Sequence, residues 1–451
     1  MKIIVEQDGA EVFHELSLLK IRCEGIERAF RLDVDFTAVI DFSWSAHVLG
    51  LDFLVICACV YAVDKIVPRD ETPDLWTRTL IVTIPVCNRD AWVAASDALA
   101  EAVSFLTGDS WSFEFTEAPR NFSRRRSNRR VHASGFPKSP IVSLLSGGLD
   151  SFIGAINLLQ EHADAKLLFV SHYDGHVSGP AKDQNNLRQL LSLKYGQRIY
   201  HLQVRTGVVA EESDDGKYRF ETSFRSRSLI FLGLAVYAAL KVGDAVPILI
   251  PENGPISVNM PLNPSRRGAC STRTVHPFFI SSINNVLSVA GIPHAVQNPY
   301  RLKTKGEMVK ECVGQEVLKL GIPLTNSCGK AGRKQHWANK KARACGVCVP
   351  CLLRRAALYT ADLDNGVYGN EAFSGDPANY PDLHALMGLV YAKPSQYEIK
   401  KRLMANGRIA LSELSAHADV VQRMIQEVTA WVAAKGSAKV CKLASVKRQA
   451  A

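Results

Sequence analysis

Two short stretches of this chain bring together residue types that can do chemistry. The first, Ser146-Gly147-Gly148-Leu149-Asp150-Ser151, follows an apolar run at 141–145 and precedes a helix-compatible run at 152–159. Glycines in a strand-to-helix turn let backbone N–H groups approach oxygen atoms that a Cβ would exclude. The free N–H groups and dipole of the helix start then favour an anion. Ser146 and Ser151 add hydroxyl donors, and Asp150 can ligate, directly or through water, the Mg2+ that travels with a nucleotide. The hexapeptide therefore suits a loop that grips the pyrophosphate half of ATP. It is not a Walker loop, which ends in Gly-Lys-Ser/Thr. A tight turn with a capping serine is the plain alternative. Its place at the first β-to-α junction of an alternating segment favours the nucleotide, because open α/β sheets bind ligands outside the carboxyl ends of their strands.

The second stretch is Cys345-Gly346-Val347-Cys348-Val349-Pro350-Cys351, with Cys328 upstream across a loop of sixteen residues. Overlapping C-x2-C steps plus a fourth thiol match a closed tetrahedral site, most simply structural Zn2+ on Cys328, Cys345, Cys348 and Cys351. An iron-sulfur cluster would use similar ligands. His336 lies inside the gap and is the alternative fourth ligand; a histidine between basic residues more often faces solvent, so Cys328 is preferred.

The elements that must hold these residues fall into four stretches. Residues 1–118 read as an α/β recognition or assembly unit, with strands at 2–5, 36–42, 79–85 and 111–116 and helices at 48–66 and 90–106. Residues 119–140, rich in Arg, Ser, Asn and Pro, mark a basic linker. Residues 141–356 alternate candidate strands at 141–145, 167–171, 199–204, 247–250 and 294–297 with helical stretches, which implies βαβ units and a parallel doubly wound sheet. Thr304-Lys305-Gly306-Glu307 has the form of a capping box and is expected to start a helix running to about Leu320. Residues 357–451 read as mainly helical, with an amphipathic segment at 411–434.

With 451 residues, 47% hydrophobic and 22% charged, the chain has the composition of globular domains and not of a disordered or fibrous protein. Residues 1–6 offer no basic segment followed by an apolar core, and the longest apolar run, 53–63, is well short of the roughly 20 residues of a membrane span. A cytoplasmic protein with a buried helix there is expected. Eleven cysteines, four of them clustered, suit a reducing compartment with a metal site better than a disulfide framework. The net charge of +10 is concentrated at 120–130, with six arginines, and at 330–343, with four lysines and two arginines. Such runs are solvated loops or nucleic-acid contacts.

The hexapeptide resembles the loop of PP-loop ATP pyrophosphatases, in which a substrate attacks the α-phosphate and pyrophosphate leaves. An SGGxDS loop followed by a four-cysteine site is similar to the 7-cyano-7-deazaguanine synthase (QueC) family over residues 141–356. That resemblance implies a PP-loop fold, ATP, Mg2+ and Zn2+, and adenylation of the carboxylate of 7-carboxy-7-deazaguanine. Arg227-Ser228-Leu229-Ile230-Phe231-Leu232-Gly233-Leu234-Ala235 is similar to the family's R-N-x-x-F-L-x-L-A helix, and Thr304-Lys305-Gly306-Glu307 to its T-K-x-E step. The resemblance thus implies roles for Arg227 and Lys305 beside Asp150 and Ser151.

The chain departs from the family at His172-Tyr173-Asp174-Gly175-His176, where an aromatic-glycine-glutamine segment is usual, and in its longer cysteine loop. Residues 253–306 contain no acid but carry Arg266, Arg267, Arg273, Arg301, Lys303 and Lys305, as expected beside an anionic ligand. The added regions make the chain resemble the longer QueC-like proteins of bacterial antiphage operons, of the QatC type. This implies transfer of the activated carboxylate to an amine of a partner protein encoded nearby, in place of ammonia and nitrile formation. A tRNA-modifying PP-loop enzyme, for which Cys270 would be the reactive thiol, and a non-catalytic ATP-binding scaffold are the rival readings.

Overall fold

β-branched and aromatic residues alternate with polar ones in the runs near 26–34 and 110–117, while the run at 142–144 is apolar throughout. The former suits strands with one face toward solvent and the latter a strand buried on both faces. The computed structural model describes residues 1–7, 19–35, 39, 47–118, 138–175, 177, 179–211, 217–223, 225–262 and 273–449. Its strands are β1 (Lys2–Gln7), β2 (Leu19–Cys23), β3 (Ile26–Val34), β4 (Thr79–Val86), β5 (Ser110–Glu117), β6 (Val142–Leu144), β7 (Leu167–Asp174), β8 (Ile199–Ala210), β9 (Ile248–Leu249) and β10 (Val296–Gln297). The strand expected at 36–42 and the arginine-rich linker at 120–130 lie outside the described residues, Val39 apart.

All ten strands form one mixed, mostly parallel sheet in the order β10-β9-β6-β7-β8-β3-β2-β1-β4-β5. From β10 to β8 every neighbour is parallel. Among the described residues, antiparallel joins occur only between β8 and β3, β3 and β2, and β2 and β1, and the far end, β1-β4-β5, is parallel again. The sheet therefore runs without interruption from residues 1–118 into residues 141–356. The β8–β3 ladder pairs Phe30 with Ala210 and Val34 with Thr206.

Helices cover both faces. Val48–Ile66 and Arg227–Val242 pack on one face with Pro277–Val289, in a core that joins both halves of the sheet. Leu149–Glu161 and its neighbours bury Phe152, Ile156 and Leu159 on the other. A third core gathers the cysteine loop with the C-terminal helices Pro381–Ala392, Gln396–Met404 and Leu411–Lys435. The apolar run at 53–63 is a buried helix, and no helix among the described residues is long and apolar enough to cross a membrane.

One helix is shorter than expected. The capping box at Thr304 forms as read, with the Thr304 side chain accepting from Glu307 N and the Glu307 side chain from Thr304 N. The helix nevertheless ends at Lys310, and a second runs over Gln315–Gly321. Gly314 caps the start of this second helix, and a Cβ there would meet Ile156 Cγ2 at 2.5 Å, so the glycine lets the chain press against Leu149–Glu161. The Gln315 amide closes the free carbonyls, donating to Val309 O at 2.8 Å and to Cys312 O at 2.9 Å.

Candidate functional site

In the parallel part of the sheet, β7 and β8 lie on one side of β6 and β9 on the other, so the direction of winding reverses between β6 and β9. Such a switch point opens a crevice beyond the carboxyl ends of the two strands. Residues 146–151 leave β6 into this crevice, and Glu252 and Asn253 leave β9 into it.

Within the loop, Gly147 takes φ +91°, a conformation that L side chains rarely adopt. Ser146 N donates to Ser151 Oγ at 3.2 Å, the two serine hydroxyls are 3.1 Å apart, and Gly148 N donates to Ser146 Oγ at 3.3 Å. Leu149 and Asp150 form the first turn of the helix that follows.

Asp150, 4% exposed, points toward β9. Its Oδ2 accepts from Asn253 Nδ2 at 2.7 Å and from Asn253 N at 3.1 Å, and its Oδ1 accepts from the Lys305 ammonium. Burial alone would raise the carboxyl pKa, but the Lys305 charge and hydrogen bonds from Glu252 and Asn253 hold it well below the usual range. Partly buried Glu252 responds in the opposite direction: desolvation and the Asp150 charge push it well above its usual value, so it carries the proton of the pair. Glu252 and Asn253 escaped the sequence reading. Their signal was a Glu-Asn step directly after an apolar strand.

The structure brings Lys305 to Asp150, and it sets Arg227 beside β7, next to His172. Arg227 starts the helix Arg227–Val242, and its carbonyl lies 3.2 Å from His172 Nε2. Its side chain is exposed and makes no hydrogen bond to the 146–151 loop among the described residues. His172 is buried against Phe231, and desolvation, aided by the Arg227 charge, lowers it to about 3. Asp174, in the same departing segment, pairs at 2.7 Å with Lys65 and at 2.8 Å with the Tyr61 hydroxyl, both from Val48–Ile66. The rest of that segment's chemistry, His176, and the basic residues Arg266 and Arg267, together with Cys270, lie outside the described residues.

The four thiols meet. Cys328, Cys345, Cys348 and Cys351 place their Sγ atoms all within 4.8 Å of one another, and His336 stands outside this group in an exposed turn. Separations of 4.0 Å between Cys328 and Cys348 and 3.9 Å between Cys345 and Cys351 are close to the edge, about 3.8 Å, of a tetrahedron with Zn–S bonds of about 2.3 Å. Backbone N–H groups of Lys330 and Cys345 point at Cys328 Sγ, each at 3.3 Å, and that of Cys348 at Cys345 Sγ, also at 3.3 Å. Donors aimed at sulfur favour thiolate, the form that binds metal, so the cluster can hold a metal ion such as zinc.

Loop and thiols are also joined to each other. Asn326 N donates to Gly147 O at 2.9 Å, and Ser327 Oγ accepts from Leu149 N at 3.4 Å. Asn326 Oδ1 then accepts from Cys328 N at 3.0 Å. The two residues before the first thiol thus fasten the loop, a role that spacing alone does not reveal. No protein-family model matches the chain, and no curated protein is significantly similar to it.

Proposed function

We propose that the chain is a QueC-like, AMP-forming carbon–nitrogen ligase that adenylates the carboxylate of 7-carboxy-7-deazaguanine and transfers the acyl group to an amine of a partner protein in antiphage defence. The observation that carries this reading is the meeting of residues 146–151 with Asp150's partners at the switch point, fastened by the segment that leads into the thiol cluster.

The carboxylate oxygen of the acid attacks the α-phosphorus of ATP, forming a P–O bond as the bond to the bridging oxygen breaks and pyrophosphate leaves. The amine then attacks the acyl carbon, AMP departs, and the nitrogen loses a proton as the amide forms. The N–H groups of Gly147, Asp150 and Ser151 and the two serine hydroxyls would stabilise charge that grows on the leaving pyrophosphate. Mg2+ would supply further neutralisation; Asp150 and Glu252 are the carboxyl groups that would hold it, Glu252 by giving up the proton it shares with Asp150. The thiol cluster, loaded with zinc, would hold Asn326 and Ser327 against the loop.

Incubation with MgATP and 7-carboxy-7-deazaguanine tests the first half: AMP and pyrophosphate are expected only when that acid is present. Adding the neighbouring operon's protein tests the second, with a gain of the deazaguanine acyl mass on the partner expected. An unmodified partner alongside nitrile formation would return the chain to the free-ammonia reaction. Turnover with no dependence on the acid would remove the substrate assignment.

A further inference from the structure

Asp150 is held on both oxygens, and both holders lean on one distant helix. Lys305 and Asn253 belong to separate elements, yet each is backed by Leu411–Lys435. On the Lys305 side, Arg423 Nε donates to Glu307 Oε1 at 2.5 Å and its NH2 group to Leu302 O at 2.8 Å. One turn further along, the Glu427 carboxylate accepts from the Thr304 hydroxyl and from the backbone N–H of Gly306. Residues 302, 304, 306 and 307 are therefore all tied to the same helix, and Lys305 stands in their midst. A Cβ on Gly306 would collide with the Glu427 carboxylate, so the glycine is what lets the brace close. On the Asn253 side, Val420 packs directly against Gly254.

Lys305 is 6% exposed, and its ammonium ends on Asp150. A long side chain keeps a buried ion pair only if its backbone is fixed, because the lysine otherwise gains entropy and hydration by swinging out. The capping box fixes the helix start internally, but it does not fix where that start sits relative to β6. Arg423 and Glu427 do.

We infer that Glu427 is a positioning residue: through Thr304 and Gly306 it sets Lys305 against Asp150, which makes the C-terminal helix part of the candidate nucleotide site. The inference rests on the reading of residues 146–151 only for its consequence on ATP, and the brace itself is testable without nucleotide.

The test is site-resolved acylation of lysines on the full chain, read by mass spectrometry. In the unaltered protein Lys305 is protected relative to exposed lysines. Glu427→Ala is expected to raise its labelling about tenfold with Lys303 and Lys310 unchanged, and Glu427→Gln, which keeps an acceptor, to stay near the starting rate. Gly306→Ala should raise Lys305 labelling as well, and should add little further in a Glu427→Ala background, where the space is already vacated. Unchanged Lys305 labelling in Glu427→Ala overturns the brace, as does an equal rise at all three lysines, which is the mark of general loosening. A MgATP titration of the same variants separates the two proposals. About tenfold weaker binding in Glu427→Ala, absent in a Lys305→Ala background, supports both. Protection that responds to Glu427 in a chain that binds no MgATP keeps the brace and removes the nucleotide.

Discussion

Ser226 donates both its backbone N–H and its hydroxyl to Asp64 Oδ2, each at 2.8 Å. Asp64 lies in the last turn of the helix Val48–Ile66, and Ser226 immediately precedes Arg227, so the N-terminal stretch sets the start of the helix that begins with this arginine. Asp64 shares a buried network with Arg69, Arg78 and Asp109, whose side chains are at most 5% exposed. Replacing Asp64 by Ala leaves two guanidinium groups short of charge and Ser226 short of an acceptor. We expect a loss of about 3–5 kcal/mol in urea unfolding. A loss below about 1 kcal/mol would mean that the network contributes little to holding the two halves together.

The same network has a pH signature. Burial opposes ionisation of Asp109, but hydrogen bonds from Arg78 and Arg69 outweigh it and place the folded pKa below the ordinary carboxylate value. A depressed carboxylate stabilises the fold at pH values above its unfolded pKa of about 4, and that contribution disappears as pH falls through the folded value. Asp109→Asn should flatten the acid limb of the stability curve below about pH 4. An acid limb identical to that of the unaltered chain would exclude Asp109 as its source.

For the thiol cluster, Cys345→Ser removes a sulfur that receives two backbone N–H groups and faces Cys351. Near-stoichiometric bound zinc is expected in the starting protein and little in the variant, together with a fall in Tm of about 10 °C. Because Ser327 and Asn326 hold residues 147 and 149, chelation should also weaken MgATP binding. Metal loss that leaves nucleotide affinity unchanged would confine the cluster to stability.

How far these features are readable in sequence depends on whether their physics is local. Gly147-Gly148, the C-x2-C steps and the Thr304 capping box are local signals, and each forms. The need for a glycine at 314 was hidden, because it arises from Ile156, more than a hundred residues earlier. The hairpin of β2 and β3 was missed as well, and with it the antiparallel β3–β8 join that makes a single sheet of two apparent units. Asn253 and Ser327 act through partners on other elements, at Asp150 and Leu149, and no spacing rule announces them.

Asp150→Asn tests the charge at the centre of the crevice. The amide keeps the shape and the Asn253 contacts but leaves the Lys305 ammonium without its counter-charge in a buried position. AMP formation is expected to drop at least about 100-fold, with MgATP binding weakened and Tm lowered by a few degrees. Full turnover in the variant would remove Asp150 from the reaction.

The last prediction concerns three histidines. Desolvation lowers His172 to about 3, with the Arg227 charge adding to it; it lowers His201 to about 4, with help from Arg188; and it lowers His276 to about 3, with help from Arg273 and His417. All three are neutral in the folded chain across the physiological range. The unfolded chain takes up protons at these sites below about pH 6.5, whereas the folded chain does not until pH 3 to 4. Their contribution to stability is therefore complete above about pH 6.5 and shrinks as the solution is acidified, by about 2 kcal/mol per histidine between pH 7 and pH 5. His172→Gln carries its own packing cost at every pH, so the measurement that matters is the slope. Urea unfolding at pH 7 and pH 5 should show the variant losing about 2 kcal/mol less than the starting chain over that interval. Parallel behaviour would mean that His172 protonates equally well in both states, and that burial against Phe231 and the Arg227 charge do not hold it neutral.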